Sequence, residues 1–302
     1  MTRPRNVAEV TRQDSHLSEG GTDLHVRTEL GRAPRLSGVR RPDYGARVAR
    51  TRDARRFGRG PYLLGLRRDA EQWGEGFPFD VPAVETIERL ELDASITLLA
   101  GENGSGKSTI VEALAAAIGF AEGGGELERL GELPAVTRPV LGGALVPQLT
   151  EHKPRNGYFL RAESFFNVAA FVDGGTTFAP DVSLYGGRAL HEQSHGQSFL
   201  ALAANRFGGE SLYILDEPEA ALSITGELAL LAIMVRAAGN GSQLVVATHS
   251  PVLLACPGAR IYELDATGIA ETAYDDLEAV SLTRAFLEAP ERFLRAALAE
   301  EG

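Results

Sequence analysis

The stretch Gly101-Glu-Asn-Gly-Ser-Gly-Lys107-Ser108-Thr109 decides the fold class of this 302-residue chain. It fits the pattern G-x-x-x-x-G-K-[ST], and it lies between an apolar segment at 95–100 (SITLLA) and a segment of helical character at 107–119 (KSTIVEALAAAIG). Strand, glycine-rich turn and helix in that order make a cradle for phosphate. Gly101, Gly104 and Gly106 let the backbone turn tightly and aim successive N–H groups at phosphate oxygens. Glu102, Asn103, Ser105 and Thr109 complete the candidate nucleotide-binding loop. The helix behind it adds the partial positive charge of its N-terminus. Lys107 is placed to reach the β- and γ-phosphates, and the Ser108 hydroxyl to ligate Mg²⁺.

Two further segments belong to the same chemistry. Leu212–Leu215 (LYIL) runs into Asp216-Glu217-Pro218, so an apolar strand delivers two adjacent acids at its carboxyl end, where open α/β sheets bind their ligands. Adjacent carboxylates repel unless a cation lies near them, which favours a metal site over a simple turn. Asp216 is expected to hold Mg²⁺ and Glu217 to polarise the attacking water as general base. A second apolar segment, 243–247 (QLVVA), leads into Thr248-His249-Ser250-Pro251. A histidine at a strand end is by itself more often structural. Beside a strand carrying the acid pair, His249 is placed to contact the γ-phosphate or the attacking water.

The rest of the chain alternates in the same manner. Strands are expected at 86–92, 95–100, 158–162, 211–215 and 243–247, and helices at 107–119, 164–172, 194–206 and 223–238. Residues 260–264 and 269–273 read as a terminal hairpin, and 280–299 as one or two amphipathic helices. Residues 120–157, rich in Gly, Pro and charge, read as a variable surface insertion. Buried strands alternating with helices predict an α/β fold with a mostly parallel sheet covered on both faces.

Charge divides the chain. Residues 1–59 hold 14 Arg against 7 acids, whereas 60–302 hold 16 Lys and Arg against 34 acids. The first segment lacks a sustained apolar period and reads as a disordered Arg-rich tail, with order beginning near Tyr62. The acidic remainder argues against broad binding to a phosphate backbone, while the tail could touch nucleic acid or an acidic partner. Cys256 is the single cysteine, so no disulfide framework exists, and a reducing, cytoplasmic setting is expected. No run approaches the ~18 apolar residues of a membrane-spanning helix, and the first residues lack the apolar core of a secretory signal.

In order and spacing, the phosphate loop, the acid pair and the histidine resemble the ABC ATPase superfamily. Ser194-His-Gly-Gln197, opening a helix before the acid strand, resembles the ABC signature, with His195 where the first Gly is usual. The resemblance implies that Ser194, Gly196 and Gln197 bind the γ-phosphate held by an opposite subunit, in a head-to-tail nucleotide sandwich of two chains. A serine N-cap on an ordinary helix is the plainer reading. Residues 219–223 (EAALS) stand where the family has its D-loop, with Ser223 in place of the usual Asp. The Mg²⁺-contacting Gln of the family falls near Glu163, and Gln148 is the weaker candidate. Tyr62, Phe77 and Phe79 are the candidates for stacking on adenine.

A closer resemblance covers nearly all of 60–302. The stretches YFLRAESFFNVA, YGGRALHEQSHGQSFLAL, LYILDEPEAALS and ATHSPVLLACPGA are similar to small bacterial ATPases labelled "AAA family ATPase". It implies a P-loop NTPase of ABC-ATPase type: a mostly parallel central sheet flanked by helices, an antiparallel β portion, and a helical signature lobe inserted over roughly 120–208. The implied activity is hydrolysis of ATP with Mg²⁺, in a homodimer formed on ATP binding, for an unidentified protein or nucleic-acid partner. A DNA-repair or phage-defence ATPase and the ATP-binding subunit of a membrane transporter are the alternatives. With 86 residues between Lys107 and Ser194 and no heptads, a coiled-coil arm is excluded.

Overall fold

The computed structural model describes residues 60–120, 125–126, 140–161 and 195–299. The tail 1–59 and the expected helix 164–172 lie outside them. The strands in chain order are β1 Leu63–Arg68, β2 Arg89–Glu91, β3 Ile96–Gly101, β4 Gly125–Glu126, β5 Leu145–Leu149, β6 Asn156–Arg161, β7 Ser211–Asp216, β8 Gln243–Thr248, β9 Arg260–Asp265 and β10 Gly268–Glu271. The helices are α1 Pro82–Glu85, α2 Lys107–Ile118, α3 Val140–Ala144, α4 His195–Arg206, α5 Ile224–Gly239, α6 Pro251–Leu254, α7 Glu278–Glu288 and α8 Pro290–Ala299.

The larger sheet has the order β10-β9-β3-β8-β7-β6-β4. Its central strands, β9, β3, β8, β7 and β6, are parallel, and antiparallel β10 and β4 close its edges. Strands β7 and β8 are buried at every position, as apolar strands covered on both faces must be. Their side chains alternate between two cores. Leu212, Ile214, Val245 and Ala247 join Ile110 and Leu114 of α2 on one face. Tyr213, Leu215, Leu244 and Val246 join Phe199 and Ala203 of α4 and Leu230 and Met234 of α5 on the other. Truncating one such leucine to alanine removes packing worth about 2–5 kcal/mol.

A smaller antiparallel sheet, β2-β1-β5, packs over α2 and completes the first core through Leu63, Leu66, Leu90 and Leu145. One buried side chain fastens it to β8. Gln243 Oε1 accepts from the N–H groups of Tyr62 and Leu63, each at 2.8 Å. Its Nε2 donates to the carbonyls of Leu63 at 2.8 Å and Leu92 at 2.6 Å. The amide thus satisfies main-chain groups that secondary structure leaves over.

Two sequence expectations need correction. Residues 86–92 are not one strand: Thr86 caps α1, its hydroxyl donating to Pro82 O at 3.1 Å, and only Arg89–Glu91 pair with β1. Residues 120–157 are not wholly a surface insertion. Leu141, Ala144 and Leu145 are buried, β5 pairs with β1 and β6 with β7, so β5 and β6 belong to the sheets. Helix α2 ends as its sequence requires, with Gly119 left-handed at φ 108° and its N–H on Ala115 O.

Candidate functional site

Because β3, β6, β7 and β8 are parallel, their carboxyl ends share one edge of the sheet. That edge carries the phosphate loop after β3, Arg161 ending β6, Asp216 ending β7 and His249 following β8. The loop 101–106 uses left-handed backbone at Gly104 (φ 86°) and Gly106 (φ 98°), which a larger residue adopts only at a cost. Glu102, Asn103 and Gly104 are exposed, whereas Gly106 and Lys107 are buried. Lys107 Nζ donates to the carbonyls of Gly101 and Glu102, both at 2.8 Å, and lies 3.6 Å from Glu217 Oε1. Ser108 Oγ donates to Asp216 Oδ1 at 3.0 Å.

The acid pair is split between two environments. Asp216 is buried, and burial raises its carboxyl from 3.8 to about 6, against the lowering effects of the Ser108 bond and the Arg161 charge. Glu217 is partly exposed and stands in left-handed backbone, φ 47° and ψ 52°, with its N–H bonded to Ala247 O at 2.9 Å. Such a conformation is uncommon outside glycine, and it turns the Glu217 side chain out of the strand direction. His249 Nδ1 lies 3.7 Å from Glu217 Oε1, so base candidate and histidine candidate face each other.

A cleft of about 240 Å³ is lined by Phe77, Val81, Asn103, Gly104, Gly106, Lys107, Ser108, Thr109 and Glu217. A larger one of about 520 Å³ also touches residues 101–105 but is lined by Glu102, Glu263, Asp265 and Glu278, whose carboxylates repel a phosphate chain. The smaller cleft is the candidate phosphate site. Of the three candidate aromatics, Tyr62 and Phe79 are buried, 1% and 5% exposed, while Phe77 is 79% exposed on the cleft.

The remaining candidates are distributed as follows. Gln148 sits in β5 opposite Gly65, in the smaller sheet. Glu163 and Ser194 lie outside the described residues. Gly196 and Gln197 are in the first turn of α4. A Cβ on Gly196 would stand 2.5 Å from the carbonyl of Ala221, so glycine is required there for close approach of helix and turn. Ser223 caps α5, accepting from Gly226 N at 3.3 Å. No group of three or more His, Cys, Asp or Glu side chains fit to hold a metal occurs among the described residues.

Two residues that sequence reasoning missed, and Glu219, which it placed only within the D-loop stretch, lie at the candidate site. Arg161 lies 3.7 Å from Asp216 Oδ2 and 2.6 Å from Glu112 Oε1 of α2. Glu219 bonds to the histidine loop. Only the parallel register of β6 and β7 sets Arg161 level with Asp216.

The chain is similar in sequence to known ATP-binding proteins. The AAA domain family matches residues 83–129. The "Putative ABC transporter ATP-binding protein" of Streptomyces avermitilis is 32% identical over 189 residues, 57% of this chain and 32% of that protein. The chain therefore spans about a third of that relative's length. The cytochrome c biogenesis ATP-binding export protein CcmA of Nitrobacter winogradskyi is 30% identical over 176 residues, 54% of this chain and 82% of the relative. A nucleotide-free ATP-binding cassette from an ABC transporter aligns with a TM-score of 0.42 at 13% identity, covering 76% of this chain and 97% of that one. No helix among the described residues is long and apolar enough to cross a membrane. With its phosphate loop, acid pair and histidine on one sheet edge, and a relative matched over most of its length, the chain belongs to the ABC ATPase family.

Proposed function

We propose that the protein hydrolyses MgATP, in a head-to-tail dimer whose two nucleotides are each held between subunits. The observation that carries this reading is a continuous set of contacts: Ser108 to Asp216, Lys107 to Glu217, and Glu217 to His249. The loop amides bind the phosphates, and Lys107 leaves its two carbonyl acceptors for the β- and γ-phosphate oxygens. Phe77 stacks on the adenine.

Ser108 and Asp216 fit a magnesium ion. They present hard oxygen donors 3.0 Å apart beside the phosphate loop and would hold the ion there. When bound, Mg²⁺ supplies charge neutralisation across the phosphate oxygens. Glu217 takes a proton from the attacking water. The water oxygen bonds to the γ-phosphorus as the bond to the β–γ bridging oxygen breaks, and ADP carries away that electron pair. His249 accepts from the attacking water on the β8 side, and Ser194 of the opposite subunit contacts the γ-phosphate from the other. The protein acts as a switch or motor for a partner.

The names of the two relatives favour a second reading for that partner, a separate membrane protein that this chain energises as its ATP-binding subunit. Measuring the mass in solution of Glu217→Gln with and without MgATP, beside hydrolysis by the unmutated chain, tests the mechanism. A dimer formed only with MgATP and lost on changing Ser194 is expected. A persistent monomer, with an unmutated chain that binds ATP without turnover, sinks it.

A further inference from the structure

Glu219 stands in the 3₁₀ turn Pro218–Ala221 directly after the acid pair, and it is 6% exposed. Its Oε1 accepts from Thr248 Oγ1 at 2.6 Å and from the backbone N–H of His249 at 2.8 Å. His249 Nδ1 approaches the same oxygen at 3.4 Å, nearer than it comes to Glu217. Thr248 Oγ1 in turn accepts from Ser250 N at 3.1 Å. The other oxygen, Oε2, is buried and has no hydrogen-bond partner among the described residues.

A buried carboxyl oxygen without a donor costs stability, so this glutamate is a poor choice for packing alone. All its donors come from one loop and converge on one oxygen. A neutral imidazole carries one proton, and the partner of one ring nitrogen decides which tautomer is present. We infer that Glu219 is the positioning residue of His249. It clamps residues 248–249 through the two hydrogen bonds and holds the imidazole with its proton on Nδ1, which leaves Nε2 as an acceptor for the attacking water. This rests on the reading of His249 as a residue of the hydrolytic site.

The test is the tautomer of His249 in the full chain labelled with ¹⁵N-histidine at alkaline pH, its resonances assigned by loss in His249→Ala. The unmutated protein is expected to show the Nδ1-protonated form, and Glu219→Gln, which keeps an acceptor at Oε1, to retain it. Glu219→Met fills a similar volume without the orphaned oxygen. It leaves the Thr248 hydroxyl and the His249 N–H without their acceptor, so it is expected to melt lower while staying folded, and to shift the ring to the Nε2-protonated form. In turnover, Glu219→Met is expected to lower kcat about tenfold or more, with most of it recovered in Glu219→Gln. In a His249→Ala background the same change is expected to alter kcat less than about twofold, because residues acting as a unit are not additive. An unchanged tautomer in Glu219→Met, or losses that add in the double variant, would reduce Glu219 to a structural brace. The spectra need neither nucleotide nor turnover. A shifted tautomer in a chain that hydrolyses no ATP therefore upholds the Glu219–His249 link while removing the hydrolytic reading.

Discussion

Arg161 and Asp216 stand opposite each other at the ends of neighbouring parallel strands, with Arg161 Nε 3.7 Å from Asp216 Oδ2. A guanidinium therefore lies beside the carboxylate proposed to hold Mg²⁺ and lowers the pKa that burial raises. Arg161→Met removes that charge. The pH midpoint of Mg²⁺-dependent nucleotide binding is expected to move upward from about 6. Titration calorimetry across pH 5–8 reads the shift, and a downward movement counts against the assignment.

The same carboxyl makes a prediction about stability. Its folded pKa of about 6 exceeds the ordinary 3.8, so the folded state binds the proton more tightly than the unfolded state. The resulting stability is complete below pH 3.8 and lost as pH rises to about 6. Asp216→Asn abolishes this slope. Without nucleotide, the variant is expected to be the more stable form above pH 6 by up to about 3 kcal/mol, and no more stable near pH 4. Urea melts at the two pH values decide it.

Phe77 offers a nearly free ring beside the phosphate cleft, and the other two aromatics are committed to the core. Phe77→Ala is expected to weaken ATP binding by about 1–3 kcal/mol, the usual worth of a base stacked on an aromatic ring, without lowering the melting temperature. Tyr62→Ala and Phe79→Ala are expected to lower that temperature instead. Fluorescent-nucleotide titration and calorimetric melting separate the two effects.

Glu217 holds its left-handed backbone at a cost of about 1 kcal/mol that glycine does not bear. Glu217→Gly is expected to raise stability by about that amount while abolishing hydrolysis. A destabilised variant would show that the conformation is not strained.

Gln243 makes a purely structural prediction. Replacing it with leucine leaves the N–H groups of Tyr62 and Leu63 without their acceptor. Each buried donor left unpaired costs about 1–3 kcal/mol, so a loss of about 2–6 kcal/mol is expected in denaturant melts.

Much of this arrangement is legible in the sequence because its central strands are continuous apolar runs that end in polar chemistry. SITLLAGENGSGKS, LYILDEP and QLVVATHS each announce a strand and the loop it delivers. The smaller sheet is not legible in that way. Pro147 within LVPQL argues against a strand, yet β5 is an edge strand, where a missing N–H is tolerated. In β1, Gly65 interrupts the apolar pattern because a Cβ there would stand 2.6 Å from Leu90 O. Arg161 carries no motif of its own, and the D-loop stretch that Glu219 opens does not point to His249. Their neighbours, Asp216 and His249, are 55 and 30 residues away along the chain, and only strand register and the turn after β7 join them. Phe77 emerges as the free aromatic once burial removes its rivals.

The close approach of Gly196 to Ala221 has a mechanical meaning. The N-terminal turn of α4 rests on the 218–221 turn backbone to backbone, with no side chain between them to yield by changing rotamer. The same turn carries Glu219, which grips the loop that holds His249. Helix, turn and loop therefore mesh like gears without backlash. In the dimer proposed above, a push on the start of α4 by the second subunit would reach the histidine loop as displacement, with little slack in between to absorb it.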